Sequence, residues 1–268
     1  LIERERGGSD VTAEQAILVE AEAGIATITL NRPQRLNALT VGLLTDLHQA
    51  LERIAADAGI GVVVLTGAGR AFSAGVDLQA LADSGIDLAA GDVGDALNEA
   101  ARRAIALLAT MPQATIAKVN GFCFTGAVEL MLGCDLAIAA NEAKLGDTHA
   151  MLGIRPTWGM TQRLPRAVGM ARAKELSFTA RHVGGAEAAG IGLVLEAVPA
   201  LELDARVDGL SRTIAGNSAG AIAAYKDLYR KSANAGLEEG LAYEFATGYE
   251  IADTRARFEA FLAKLKKA

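Results

Sequence analysis

The sequence predicts an α/β protein built on a largely parallel sheet, and three observations lead there. Short apolar or β-branched runs, such as Ile25 to Leu30, Val62 to Leu65 and Thr115 to Val119, alternate with longer stretches of helical period. Between them, Leu43, Leu44, Leu47, Leu51 and Ile54 recur at the spacing of one helix face. Beyond Leu201 the strand signals stop and only helical periods follow, which places a change of organisation there.

Taken in order, Leu1 to Ala16 is charged and small, carries Gly7-Gly8-Ser9, and is expected to be a flexible N-terminal arm (1–16). Ile17 to Glu20 and Ile25 to Leu30, joined by Ala23-Gly24, predict a hairpin. Thr40 has the side chain to cap the helix that carries Leu43 to Ile54. Asp83 to Asp95, rich in Gly, Asp and Ala, predicts a surface loop or a short, loosely held helix. Ala96 to Met111 returns as a helix with Ile105 and Leu108 inward, and Pro112 ends it. Short strands are expected at Asp135 to Ala139, Ala143 to Leu145 and Leu195 to Val198. Helices are expected at Thr157 to Arg166, Met170 to Thr179 and Ala186 to Gly190, then at Leu203 to Ala215, Ala219 to Tyr229, Leu237 to Thr247 and Arg255 to Leu265.

Composition narrows the function classes. The 268 residues are 51% hydrophobic, enough for a sizeable core, and 4% aromatic, too few for base-stacking platforms. A net charge of -6 argues against a general nucleic-acid binder. No apolar run of eighteen residues and no signal pattern is visible, so a cytoplasmic protein with no membrane partner is expected. Cys123 and Cys134 sit in apolar surroundings and read as core residues of a reducing compartment. The histidines lie apart from the cysteines and show no metal-ligand spacing, so no metal is expected.

The chemistry concentrates in Val119 to Leu136, V-N-G-F-C-F-T-G-A-V-E-L-M-L-G-C-D-L. A helix opening near Gly126 places Glu129 three residues inside, on the same face. The first N–H groups of a helix lack internal partners and carry partial positive charge, so the Gly126 N–H suits a developing oxyanion with a carboxylate base beside it. The plainer alternative is a Glu129 that only favours the helix dipole. A second stretch, Val62 to Leu78, runs V-V-V-L-T-G-A-G-R-A-F-S-A-G-V-D-L, an apolar strand ending in a Gly-rich loop that permits close backbone approach. That loop is not a dinucleotide fingerprint, because Phe72 stands at the third glycine. Nor does Ser73 sit in a G-x-S-x-G frame, since Ala71 stands at its first glycine.

Together with Asn31-Arg32-Pro33, Asn37-Ala38-Leu39 and Thr161-Gln162-Arg163-Leu164, these stretches resemble, in order, the crotonase family, the enoyl-CoA hydratase/isomerase superfamily. The resemblance spans roughly residues 17 to 268. It implies a crotonase-like spiral of ββα units over 17–200 and a helical C-terminal region, 201–268, used for trimer contacts in a homotrimer or dimer of trimers. It implies an acyl-CoA thioester as substrate, with coenzyme A part of that substrate and no separate cofactor. By matching motifs, the two N–H groups that hold the thioester oxygen fall at Ala74 and Gly126. Glu129 matches one of the two glutamates that family hydratases use, while the position of the second is occupied by His149, a departure from the pattern. Asp147 is expected either to lend a carboxylate or to orient His149. Trp158 stands where small residues are common and is expected to shape the acyl pocket. CoA contacts are expected from Arg35, Ala38 and Lys226, with Asp77 and Leu78 in the loop beside Ala74. The leading expectation is an enoyl-CoA hydratase. The alternatives are an isomerase using a single carboxylate and a catalytically impaired acyl-CoA binder.

Overall fold

The computed structural model describes residues 15–87 and 91–266. The arm expected over 1–16 therefore lies, apart from Gln15 and Ala16, outside the described residues, as do residues 88–90 of the loop expected between Asp83 and Asp95. The chain opens with the hairpin β1 (Ile17–Glu22) and β2 (Ile25–Leu30). Its two-residue turn, Ala23-Gly24, has φ of 51° and 79°, the left-handed pair that matches the twist of adjoining strands. Helix α1 (Val41–Ala55) follows, and Thr40 Oγ1 accepts the Leu43 N–H at 3.2 Å as its cap. The helix buries the expected stripe from Leu43 to Ile54.

Then the chain begins to coil. Strand β3 (Val62–Gly67) is followed at once by β4 (Ala71–Ser73), then by helices α2 (Leu78–Asp83) and α3 (Asp95–Thr110). Strand β5 (Ala114–Val119) is followed by β6 (Phe122–Phe124) and helix α4 (Gly126–Met131). Strand β7 (Leu136–Ala140) is followed by β8 (Lys144–Gly146) and helices α5 (His149–Leu152), α6 (Met160–Val168) and α7 (Met170–Thr179). Strand β9 (Val183–Gly184), helix α8 (Gly185–Gly190) and strand β10 (Glu196–Val198) close the core. Each turn thus leaves one strand in each of two sheets and returns through helix. Among the described residues the larger sheet has the order β1-β2-β3-β5-β7-β10, parallel except for β1, and the smaller has the order β4-β6-β8-β9, parallel except for β9. This is the spiral of ββα units. Every residue of β3 is buried, as continuous apolar strands in covered parallel sheets require.

Strands β4 and β6 have no counterpart among the strands expected from sequence. Three residues are too few to show a period, and both strands lie in stretches that read as loop or turn.

The C-terminal helices are α9 (Leu203–Ala215), α10 (Ala219–Ser232), α11 (Leu237–Ala246) and α12 (Thr254–Leu265). The change of organisation near Leu201 is topological and not a gap in packing, because α9 lies against β2, β3, β5 and β7 and buries Leu203 and Val207 in the main core. By contrast α11 and α12 bury no residue in this chain. Among the described residues no helix is long and apolar enough to cross a membrane.

Candidate active site

The motif residues first build a loop scaffold. Asn37, fully buried at φ 55°, donates through Nδ2 to the carbonyls of Ala68 and Ala71 at 2.9 and 2.8 Å, and its Oδ1 accepts the Arg32 N–H. Arg32 in turn donates to the Ala38 carbonyl at 2.6 Å and pairs with Asp77 at 3.0 Å. From the other side Asn120 Nδ2 donates to the carbonyls of Gly67 and Gly69, both at 2.9 Å. These bonds fix the loop from Gly67 to Ala71 and, through Asp77, the far end of the turn that follows it. Gly75 lets that turn approach the end of β6: at φ 86°, a Cβ there would lie 2.7 Å from the Phe124 carbonyl oxygen.

Beside that turn lies a cavity of about 290 Å³, whose wall includes Val76, Gly126, Glu129, His149 and Trp158. Glu129 is 1% exposed. Its Oε1 accepts the N–H groups of Trp158 at 3.1 Å and Met160 at 2.9 Å, which leaves Oε2 facing His149 Nε2 at 3.7 Å. Burial pushes the Glu129 carboxyl above its ordinary range, and the Met160 N–H, the His149 charge and the Trp158 N–H oppose that rise without cancelling it. His149, 7% exposed, heads α5. Its Nδ1 lies 2.6 Å from Asp147 Oδ1, and the same oxygen accepts the His149 N–H at 3.2 Å. Asp147 Oδ2 accepts the Ser177 hydroxyl at 2.6 Å. Burial raises the Asp147 carboxyl, but the bonds from His149 and Ser177 outweigh it and hold the group below its usual range. An ionised carboxylate only accepts, so the proton between Asp147 and His149 belongs to Nδ1. A buried acid and an imidazole therefore face each other across one edge of the cavity, with a second carboxylate behind the imidazole.

The chain matches the enoyl-CoA hydratase/isomerase family model over residues 20–267. It belongs to that family. It is 36% identical over 253 residues to a probable enoyl-CoA hydratase of Mycobacterium bovis, covering 93% of this chain and 96% of the relative. Among solved structures it resembles an enoyl-CoA hydratase from Bacillus anthracis, with TM-score 0.84, 36% identity and coverage of 94% of this chain and 97% of the other. A monofunctional enoyl-CoA isomerase from M. smegmatis is also similar, with TM-score 0.73, 31% identity and coverage of 87% of this chain and 99% of that one.

Within this enoyl-CoA hydratase/isomerase fold the residues assigned from sequence divide into two groups. Gly126, Glu129, His149, Trp158 and Leu78 meet at the cavity. Ala74 touches it too, but its N–H donates to the Leu36 carbonyl at 2.9 Å, so the assignment of an oxyanion donor there is corrected. Two residues along, the Val76 N–H has no acceptor among the described residues, and neither does the Gly126 N–H. Asp77 acts through the scaffold: it caps α2 by accepting the Ala80 N–H at 3.1 Å and pairs with Arg32. Ala38 is buried in that scaffold, and Arg35 is exposed on the chain just ahead of it. Lys226 stands outside the cavity. Within this chain its ammonium is taken up by Asp135 at 2.7 Å and by the carbonyls of Gln113 at 2.7 Å and Leu108 at 3.4 Å, away from the Glu129 cavity.

Two further features carry no mark of function in the sequence. The helix expected from Thr157 begins at Met160, and the non-helical Trp158 and Gly159 ahead of it free the two N–H groups that hold Glu129. His182 lines the cavity with its ring 4.5 Å from that of Phe124, although nothing near it in sequence singles it out.

Proposed function

We propose that the chain is an enoyl-CoA hydratase, adding water across the 2,3-double bond of an acyl-CoA thioester. The observation that carries this reading is the 3.7 Å pair of Glu129 Oε2 and His149 Nε2, set in one cavity wall with the free N–H groups of Val76 and Gly126. In this mechanism a water bridges the pair. Glu129 takes its proton as the oxygen bonds to C3, and the π electrons move through C2 to the thioester oxygen, where the two N–H groups hold the enolate. Losing one such donor typically costs about 10²–10³ in rate. Protonated His149 then delivers its proton to C2, and the proton on Glu129 returns to His149 across the short gap. The balance is one water added, with no redox step, so coenzyme A enters as part of the substrate and no other cofactor is required.

The isomerase alternative has one observation in its favour: among the described residues that line the cavity Glu129 is the one carboxylate, since Asp147 stands behind the imidazole. Loss of conjugated-thioester absorbance with crotonyl-CoA is the expected result. Its absence, with gain of that absorbance from a 3-enoyl-CoA, selects isomerisation. No turnover of either, with retained binding, selects the impaired acyl-CoA binder.

The same reading includes assembly as a homotrimer or dimer of trimers. Its support is the bare apolar surface of α11 and α12, where Leu237 is 77% exposed, Phe245 95% and Phe258 62%. Sedimentation at micromolar concentration is expected to give a trimer or hexamer, and a monomer throughout would overturn this assignment.

A further inference from the structure

Resting on the proposed Glu129 and His149 pair, we infer that Asp147 and Ser177 are positioning residues that decide which nitrogen of His149 meets the substrate. Ser177 Oγ donates to Asp147 Oδ2 at 2.6 Å, and Asp147 Oδ1 then accepts from both the backbone N–H and the Nδ1 of His149 at 3.2 and 2.6 Å. The carboxylate is held from two directions, by α7 and by the start of α5. The imidazole is held on its Nδ1 edge, and its Nε2 is aimed at Glu129.

An unsupported imidazole in a cavity rotates about its Cβ–Cγ bond and exchanges tautomers, so either nitrogen can present either a proton or a lone pair. Here the Nδ1 proton is committed to Asp147. Nε2 is left as the only ring atom that can take a proton from Glu129 or pass one to a substrate carbon. Asp147 also supplies the counter-charge for the imidazolium that the cycle forms, as a carboxylate does behind a catalytic histidine in unrelated hydrolases. The other charged or titratable groups near His149 are Glu129 on α4, Arg155 and His182 on the same cavity wall, and Arg163 on α6 behind Glu129, where its Nη1 donates to the Trp158 carbonyl at 3.0 Å. On α7, Glu175 is engaged by Arg172 and Arg181, which leaves Ser177 as the group that reaches Asp147.

The plain alternative is that Ser177 and Asp147 merely staple α7 to the segment after β8. Kinetics and NMR on the intact protein separate the two. With crotonyl-CoA, Asp147→Asn is expected to lower kcat about 10–100-fold with KM within about twofold, and Ser177→Ala to lower kcat by up to about tenfold. Protein labelled with ¹⁵N-histidine has only three histidines to resolve, and His149→Gln identifies the signals of His149. The wild type is expected to show Nδ1 protonated and Nε2 bare when the ring is neutral, and Asp147→Asn to show a mixed or reversed pattern. An unchanged tautomer in Asp147→Asn overturns the inference, whatever happens to KM or stability. So does an unchanged kcat in that variant, while Glu129→Gln and His149→Ala lose activity; the hydratase reading then survives. If Glu129→Gln and His149→Ala both keep wild-type turnover, it is the catalytic pair of the proposed function that fails, and no turnover of crotonyl-CoA by the wild type is what would overturn the hydratase reading. Should Asp147→Asn not fold, Ser177→Ala decides: a wild-type kcat with an unchanged ¹⁵N pattern overturns the inference.

Discussion

Glu129→Gln is expected to lower hydration by about 10²–10⁴ in kcat while leaving acyl-CoA binding nearly intact, because the amide keeps the shape of the acid but cannot take a proton. The structure adds a second expectation of opposite sign, on stability. In the variant the amide carbonyl oxygen would still accept the Trp158 and Met160 N–H groups, and the amide nitrogen would face His149 as a donor. What the substitution removes is an ionisable group whose charged form is penalised by burial. A carboxyl whose folded pKa is raised binds more protons in the folded than in the unfolded state between the two values, so wild-type stability falls as pH rises through that window. Below the unfolded value, about 4.3, both forms are protonated and the variant has no advantage. Above the raised folded value the full advantage is reached. Thermal melts of both proteins across pH check this: the Glu129→Gln melting temperature should match or trail the wild type in acid and exceed it at neutral pH. His149→Ala tests the partner and is expected to cost at least about tenfold in kcat, the low edge of a positioned acid or base. A small loss there beside a large one at Glu129 would mean single-carboxylate chemistry and favour isomerisation. Full hydratase activity in Glu129→Gln would remove the central stretch from the mechanism altogether.

Much of this site was legible because its parts are set by register. Glu129 follows Gly126 by three residues on one helix, and that spacing alone predicts a shared face. The departure at His149 was equally visible, as a letter at a counted position. What the sequence could not show is how extended segments aim. Asp147 lies two residues from His149, a separation that in a helix would turn the side chains apart, and only the short turn between β8 and α5 brings its carboxylate onto Nδ1. Ser177 comes from another helix, with a sequence separation of 30 from Asp147. Backbone donors were harder still. Whether Ala74 or Val76 offers a free N–H depends on which one the Leu36 carbonyl captures, and no side chain records that choice. The partners of Lys226 were hidden for a different reason. A lone basic residue on a C-terminal helix carries no sign of its partner, and here Asp135 and two carbonyls engage it first.

Gly126→Ala is expected to damage folding stability and turnover together, through a single methyl group. A Cβ at that position would lie 2.4 Å from Trp158 Cζ3, closer than real contacts come, and 3.0 Å from Cε3. The indole has little room to yield: Trp158 is buried, its Nε1 donates to Asn98 Oδ1 at 2.8 Å, and its backbone N–H holds Glu129. The strain must therefore move the first turn of α4, the indole, or the Glu129 clamp. Overpacking of this kind costs about 1–3 kcal/mol, or roughly 2–12 °C in melting temperature for a chain of this size. If the Gly126 N–H is one of two enolate donors, kcat/KM should fall by about 10²–10³ as well. Trp158→Leu in the same chain separates sterics from chemistry. It vacates the space the new methyl needs, so the double variant should be less destabilised than the sum of the two single changes, with a coupling of about 0.5–3 kcal/mol. Recovery of kcat/KM in the double variant relative to Gly126→Ala would show that the donor had been displaced and then returned. Gly126→Ala with wild-type kcat/KM on crotonyl-CoA would instead mean that the enolate is held elsewhere.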